Sequence, residues 1–122
     1  MKSRPIVFFF LLTATTSASA QHYDGHEFNK ICISSKSSTF SSGLGLGLVA
    51  AVGDIESIKS HGRRFLPDHP SFQPLFCLPQ NSSLGQLFDV ACKFSNNNPS
   101  HRHAAAVANI QNALIEAFPC PK

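Results

Sequence analysis

The chain has six histidines and four cysteines, side chains that are well suited to hold a metal ion or to act in catalysis. The densest histidine cluster is His101-Arg102-His103. Residues two apart on a helix point in different directions, and neither a carboxylate nor a cysteine lies at a supporting spacing. We therefore expect solvated histidines near a helix start, with no metal site and no cofactor.

A cysteine paired with a histidine could also make a thiol hydrolase. The sequence signatures that surround a catalytic cysteine in known families are missing, however, and every cysteine has a plausible use in a disulfide. The sequence also lacks the Gly-x-Ser-x-Gly turn that exposes a nucleophilic serine. We predict a protein that is not an enzyme, because the hydrolase alternative would need a reactive thiol near neutral pH.

One glycine-rich segment matches the dinucleotide-binding fingerprint, at residues 45–50. That motif requires a preceding strand and a βαβ unit of about 30 residues, and the sequence predicts neither. Gly43, Gly45, Gly47 and Gly53 each cost about 1 kcal/mol relative to alanine inside a helix. We interpret them as positions of close backbone approach to another helix.

The first twenty residues have the features of a secretory signal peptide. Lys2 and Arg4 precede an apolar run at residues 6–12, and Ala18-Ser19-Ala20 supplies small residues for cleavage after Ala20. The apolar run is too short to span a bilayer as a helix of about 20 residues. We predict a signal peptide at residues 1–20 and a single domain at residues 21–122, exported to an oxidising space such as the periplasm and not held in a membrane.

Charge and cysteine content limit what the exported chain can do. Without Lys2 and Arg4 it carries eight basic and seven acidic residues, a net charge of +1 with neutral histidines, so nucleic-acid binding is not expected. In an oxidising space, the four cysteines predict up to two disulfides, with three possible connectivities. About 100 residues suffice for one modest core, which disulfides would help to stabilise.

The C-terminal third predicts a helical hairpin. Ser83 and Gln86 have the spacing of a capping box, in which each side chain accepts a hydrogen bond from the other residue's backbone N–H. Asn98 and Pro99 suit the cap and first residue of a second helix, which would run to Phe118. The inner face of the first helix would comprise Leu84, Leu87, Phe88, Ala91, Cys92 and Ser95, and that of the second Ala104, Val107, Ala108, Gln111, Leu114, Ile115 and Phe118.

A short link makes the two helices antiparallel neighbours, so the start of the first lies beside the end of the second. This places Cys77 close to Cys120. A bridge between them would close a loop of about 40 residues and stabilise the fold by roughly 3 to 5 kcal/mol in the chain-entropy account.

Two further helices are predicted upstream. Asp24 and Glu27 form a possible capping pair for a short helix near residues 25–34. A longer helix would begin near Ser42 and end at Gly62 as its C-terminal cap. Its apolar side would comprise Leu44, Leu48, Ala51, Val52, Ile55 and Ile58. The predicted fold is therefore all-α, a small disulfide-stabilised four-helix domain with a C-terminal antiparallel helical hairpin.

A proline-rich connection joins the long helix to the hairpin between residues 63 and 80. A loop of this length is usually functional or disordered, and four prolines reduce the entropy of holding one shape. We expect a partner-binding surface there, comprising Arg63, Arg64, Phe65, Asp68, His69 and Phe72. The alternative is that its phenylalanines only cover the hairpin.

The hairpin motifs resemble those of the Rap/Tai immunity-protein family. They match in order and spacing over about 45 residues, and they are Cys77-Leu78-Pro79, Leu84-Gly85-Gln86-Leu87, Asp89-Val90, Asn98-Pro99, His101-Arg102-His103, Ala113-Leu114 and Ala117-Phe118-Pro119-Cys120. Upstream, Cys32 lies in the family's first cysteine position, and residues 47–54 resemble its glycine-containing helix.

The cysteine pattern departs from that of the family. The second cysteine position of the family is Gly45 here, and Leu48 replaces the usual tyrosine, whereas Cys92 stands where an aliphatic residue is usual. One hypothesis is that Cys92, on the inner face of its helix, bridges to Cys32 as a replacement.

The resemblance implies a helical periplasmic protein that binds and inhibits a peptidoglycan amidase delivered by a type VI secretion system. Family members include homodimers, and the glycine-rich helix would allow close contact between subunits, although burial within one subunit would explain the same glycines. A different class of function is a periplasmic binding module for an apolar ligand or envelope component, which would require an enclosed apolar cavity.

Overall fold

A computed structural model describes residues 22–121, so the signal-peptide prediction for residues 1–20 lies outside the described part of the chain. The helices are α1 (Gly25–Ser34), α2 (Thr39–Arg63), α3 (Leu84–Asn97) and α4 (Ala106–Ala117), with 3-10 turns at Pro70–Phe72 and Pro99–His103. The described residues contain no strand, apart from one isolated bridge between Asp24 and Ala105. The all-α, four-helix prediction is confirmed.

Capping boxes fix the starts of α1 and α3, as predicted. The Asp24 carboxylate accepts from Glu27 N at 2.8 Å, and Glu27 accepts in return from Asp24 N at 3.1 Å. Ser83 and Gln86 make the same reciprocal pair at 3.2 and 2.9 Å. Each box satisfies backbone N–H groups that lack a partner in the first turn of a helix.

A single core lies between the four helices. Its centre is Phe28 of α1, Val49 of α2 and both Ile110 and Leu114 of α4, each with no exposed side-chain surface. The other members are Ile31, Cys32, Val52, Phe76, Leu87, Phe88, Ala91, Phe94, Ala106 and Ala113. The Phe28 and Phe88 rings meet edge to face at 6.3 Å, a favoured aromatic geometry. None of the helices in the described region combines the length and hydropathy needed to cross a membrane.

The predicted start of the last helix at Pro99 is wrong. Pro99–His103 forms a 3-10 turn, after which Ala104 is extended and α4 begins at Ala106. The extended backbone pairs with the segment before α1, with Gly25 N donating to Ala104 O and Ala106 N to Tyr23 O, both at 2.8 Å. This long-range pairing takes the place of helical hydrogen bonds at residues 104–106. The Asn98 amide donates to Phe94 O instead of capping a new helix.

The predicted inner faces of α2 and α4 are also partly wrong. On α4, only Leu114 of the expected set is fully buried, while Val107 and Ile115 are 38% and 36% exposed. The buried positions of α4 are Ala106, Asn109, Ile110, Ala113 and Leu114. On α2 they are Gly45, Val49 and Val52, and the C-terminal isoleucines of this helix face outward. α2 has apolar residues on several sides, so periodicity alone does not select the face that packs.

Of the four α2 glycines for which close packing was predicted, only Gly45 is closely packed. A Cβ at Gly45 would overlap the Phe88 ring and lie 3.1 Å from Ile31, whereas one at Gly43, Gly47 or Gly53 would meet no atom within 4 Å. Gly62 is not the C-terminal cap, because α2 continues through it to Arg63 and no glycine in the described residues has positive φ. Its role is steric, since a Cβ there would lie 2.6 Å from the Phe72 ring.

The environments of Gly45 and Gly53 predict that replacement by alanine changes the stability in opposite directions at the two positions. Gly45→Ala should lower the free energy of unfolding by about 1 to 2 kcal/mol, because the added methyl group displaces the Phe88 ring in a packed core. Gly53→Ala, in open space on the same helix, should raise it by about 0.5 to 1 kcal/mol through helix propensity. Urea unfolding followed by circular dichroism measures both. Equal stability of the two variants would contradict the packing role of Gly45.

The four cysteines lie in two disulfides that join different parts of the fold. Cys32 of α1 bonds to Cys92 of α3, with the Cα atoms 5.4 Å apart. Cys77, before α3, bonds to Cys120, after α4, with the Cα atoms 4.8 Å apart. The Cys77 N–H also donates to Phe118 O at 2.8 Å, so the two ends of the C-terminal hairpin are held by a backbone bond as well.

Candidate partner-binding surface

The segment that follows α2 is a folded loop, residues 64–76, anchored at both ends. At its start, the backbone N–H groups of Phe65 and Leu66 donate to Gly62 O, each at 3.0 Å. At its end, Phe76 is 3% exposed and belongs to the core. Next to it, Leu75 N donates to the Glu56 carboxylate at 3.3 Å, and that carboxylate also pairs with Lys59 at 3.1 Å. These contacts hold the loop against the C-terminal half of α2.

Three of the predicted partner-binding residues make contacts within the loop. The Arg63 guanidinium donates to Phe72 O at 2.6 Å, and the Phe72 ring lies against Gly62. His69 Nδ1 accepts from Ser71 N at 3.3 Å at the start of the 3-10 turn, and its ring lies 5.3 Å from that of Phe72. Arg63, His69 and Phe72 therefore shape the loop, whatever else they contact.

The other three predicted residues are exposed near the end of α2. Phe65 is 72% exposed, and Arg64 and Asp68 are also exposed. The structure adds Leu66, 54% exposed, which the sequence analysis missed. Its signal in the sequence was the adjacent pair of large apolar residues directly before Pro67.

This exposed group continues onto α2. The Phe65 ring meets that of His61 edge to face, with centroids 5.4 Å apart. Ile58 lies three residues before His61, on the same side of the helix, and is 69% exposed. We refer to Ile58, Arg64, Phe65, Leu66 and Asp68 as the α2-loop surface. Clusters of exposed apolar side chains are characteristic of interaction sites, in which aromatic residues and arginine are enriched.

Other kinds of site find less support. Both disulfides together use all four cysteines, so no thiol is available as a nucleophile. Within residues 22–121, no group of three or more histidine, cysteine or carboxylate side chains is arranged to hold a metal ion. A cleft of about 240 Å³ beside the Cys32–Cys92 bridge and one of about 460 Å³ between α3 and α4 are both open to solvent, unlike the enclosed cavity that an apolar-ligand module would need.

Comparison with known proteins relates the chain to a family. A family model described as Rap1a immunity proteins matches residues 24–120. The matched range begins at the capping residue of α1 and ends at the last cysteine, so it contains all four helices and both disulfides. No curated protein and no solved structure matches the chain.

Proposed function

Because this chain belongs to the Rap1a immunity protein family, we propose that it binds and inhibits a peptidoglycan amidase effector of a type VI secretion system. The observation that carries the proposal is the extent of the family match, which includes every helix of the described fold. An immunity protein acts by binding its cognate effector, and this role requires no catalytic group on the chain itself.

The α2-loop surface is our proposed contact with the effector. Phe65 and Leu66 supply an apolar centre, and Arg64 and Asp68 supply charges of both signs at its edge. A buried aromatic anchor surrounded by a polar rim is the usual arrangement of a tight protein interface. In this proposal the surface covers the active-site cleft of the amidase and excludes the peptidoglycan substrate.

The loop is suited to this role because it is preorganised. Binding costs less when the contacting segment is already held in one conformation. Here Arg63 bonds to the loop backbone, Phe76 anchors the loop in the core, and the next residue, Cys77, is in a disulfide. Proline at positions 67, 70 and 74 further restricts the unbound loop.

We further propose that the protein acts in the periplasm after removal of residues 1–20 as a signal peptide. The effector would meet its substrate in that compartment, and disulfides persist there. Intact mass and N-terminal sequencing of protein recovered from a periplasmic fraction test cleavage after Ala20.

A homodimer is a further part of the proposal. Gly43, Gly47 and Ala51 form an outward-facing row of small residues on α2. A second copy of α2 could approach this row closely. Light scattering at several concentrations measures the molecular mass and therefore the subunit number.

Inhibition of a captured enzyme is the decisive experiment for function. The oxidised protein is used as bait against the product of the adjacent gene and against periplasmic extract, and each bound protein is assayed for peptidoglycan hydrolysis. We expect capture of an amidase whose activity falls to zero at a fixed molar ratio of the two proteins. Capture of no hydrolase, or of one that stays active at saturation, would contradict the proposal.

A further inference from the structure

Two histidines from distant parts of the chain meet at one end of the fold. His26 lies in the first turn of α1, and His103 ends the 3-10 turn before α4, 77 residues later. His26 Nε2 and His103 Nδ1 are 3.4 Å apart, and the two rings are inclined at 70° with centroids 4.9 Å apart. Both side chains are exposed to solvent.

The backbone around this pair is fixed from both sides. Two 2.8 Å bonds link residues 23–25 to residues 104–106, directly before His26 and directly after His103. Gly25 fits so closely that a Cβ there would lie 2.7 Å from Arg102 Cα. Arg102 itself donates to Ser95 O and Asn96 O, at 2.9 and 3.1 Å, and so ties the turn to the end of α3. The separation of the two rings is therefore set by the fold rather than by the side chains alone.

The distance between the nitrogens fits metal coordination better than a hydrogen bond. Hydrogen bonds donated by N–H groups are commonest near 2.9 to 3.0 Å, and the observed separation is near the upper limit for one. In a tetrahedral zinc site with Zn–N bonds of about 2.0 to 2.1 Å, two ligand nitrogens lie about 3.3 to 3.4 Å apart. Neutral imidazole is also a preferred ligand of zinc and copper.

We propose that His26 Nε2 and His103 Nδ1 bind one Zn²⁺ or Cu²⁺ ion per chain, with water in the remaining positions. The nearby carboxylates of Asp24 and Glu27 already accept the capping-box bonds of α1. All four cysteines are in disulfides, so no thiolate competes for the ion. The second histidine of the sequence cluster, His101, packs against the Phe94 ring instead, with centroids 5.5 Å apart. The sequence analysis did not predict this site, because the partner of His103 comes from another helix.

Isothermal titration with Zn²⁺ tests the site, using protein purified without a polyhistidine tag and in its oxidised form. We expect one ion per chain, and at least a tenfold loss of affinity in His26→Ala and in His103→Ala. His101→Ala, which removes an adjacent histidine outside the pair, should bind as the unaltered protein does. Cu²⁺ should bind more tightly than Zn²⁺ at the same site.

Three results would overturn the site: no zinc binding by the unaltered protein, binding that survives both single substitutions, or an equal loss of affinity in His101→Ala. Circular dichroism of each variant shows whether a loss of affinity comes from a loss of fold. We expect each variant to stay folded, because both rings are exposed. None of these readouts depends on the amidase, so the outcome is independent of the immunity proposal.

Discussion

Replacing Cys32 and Cys92 together with alanine is expected to lower the free energy of unfolding by about 4 kcal/mol. The bridge spans 60 residues and joins α1 to α3, and chain-entropy reasoning gives this magnitude for a loop of that length. Alanine is preferred to serine because Cys32 is buried, and a hydroxyl group without a partner there would add its own cost. For a domain of about 100 residues, the change should lower the melting temperature by roughly 15 to 30 °C.

Thermal and urea unfolding of the oxidised protein measure this effect. The matched comparison is the double substitution of Cys77 and Cys120 with alanine. It removes a bridge between cysteines 43 residues apart and should lower the free energy of unfolding by nearly as much. Peptide mapping of the unaltered protein under non-reducing conditions tests the two pairings directly. A loss below 1 kcal/mol for the Cys32–Cys92 pair would mean that this bridge contributes little to the fold.

The double substitution Phe65→Ala with Leu66→Ala is expected to weaken effector binding at least thirtyfold. Removing anchor residues from the centre of an interface typically costs 2 kcal/mol or more, which corresponds to this factor. Both side chains are more than half exposed in the free protein, so the melting temperature should be nearly unchanged. Surface plasmon resonance with the captured amidase gives the affinity, and calorimetry gives the stability.

The control for this experiment is Phe40→Ala, which removes an aromatic side chain of similar exposure from the opposite end of α2. It should leave the affinity for the amidase unchanged. If Phe40→Ala weakens binding and the loop variant does not, the contact lies at the N-terminal end of α2, and our assignment of the surface is wrong. That result would leave the immunity proposal itself intact.

The features predicted correctly from the sequence are those that local chemistry determines. Asp24 with Glu27 and Ser83 with Gln86 each form a capping box within one turn, and both were found at the predicted residues. The start of α4 was not predictable in this way. It depends on the pairing of Ala104 and Ala106 with residues before α1, and nothing near Pro99 in the sequence indicates that contact.

The candidate surface, too, was only partly predictable from the sequence. A proline-rich loop with aromatic residues could be recognised from composition, but the contacts made by Arg63 and Phe72 depend on how the loop packs against the end of α2. The choice of Gly45 as the packing glycine depends on where Phe88 of α3 is located. Periodicity within α2 contains no information about that ring.

The pairing of residues 23–25 with residues 104–106 also affects when the chain can fold. Each bridge likewise needs a late cysteine, Cys92 or Cys120, so neither can close until that residue has emerged. A chain that passes through a secretion channel from its amino end would therefore stay unfolded until almost its whole length had crossed. Such a delay keeps the polypeptide in an unfolded state that can pass through a narrow channel, and the native state would form only after translocation.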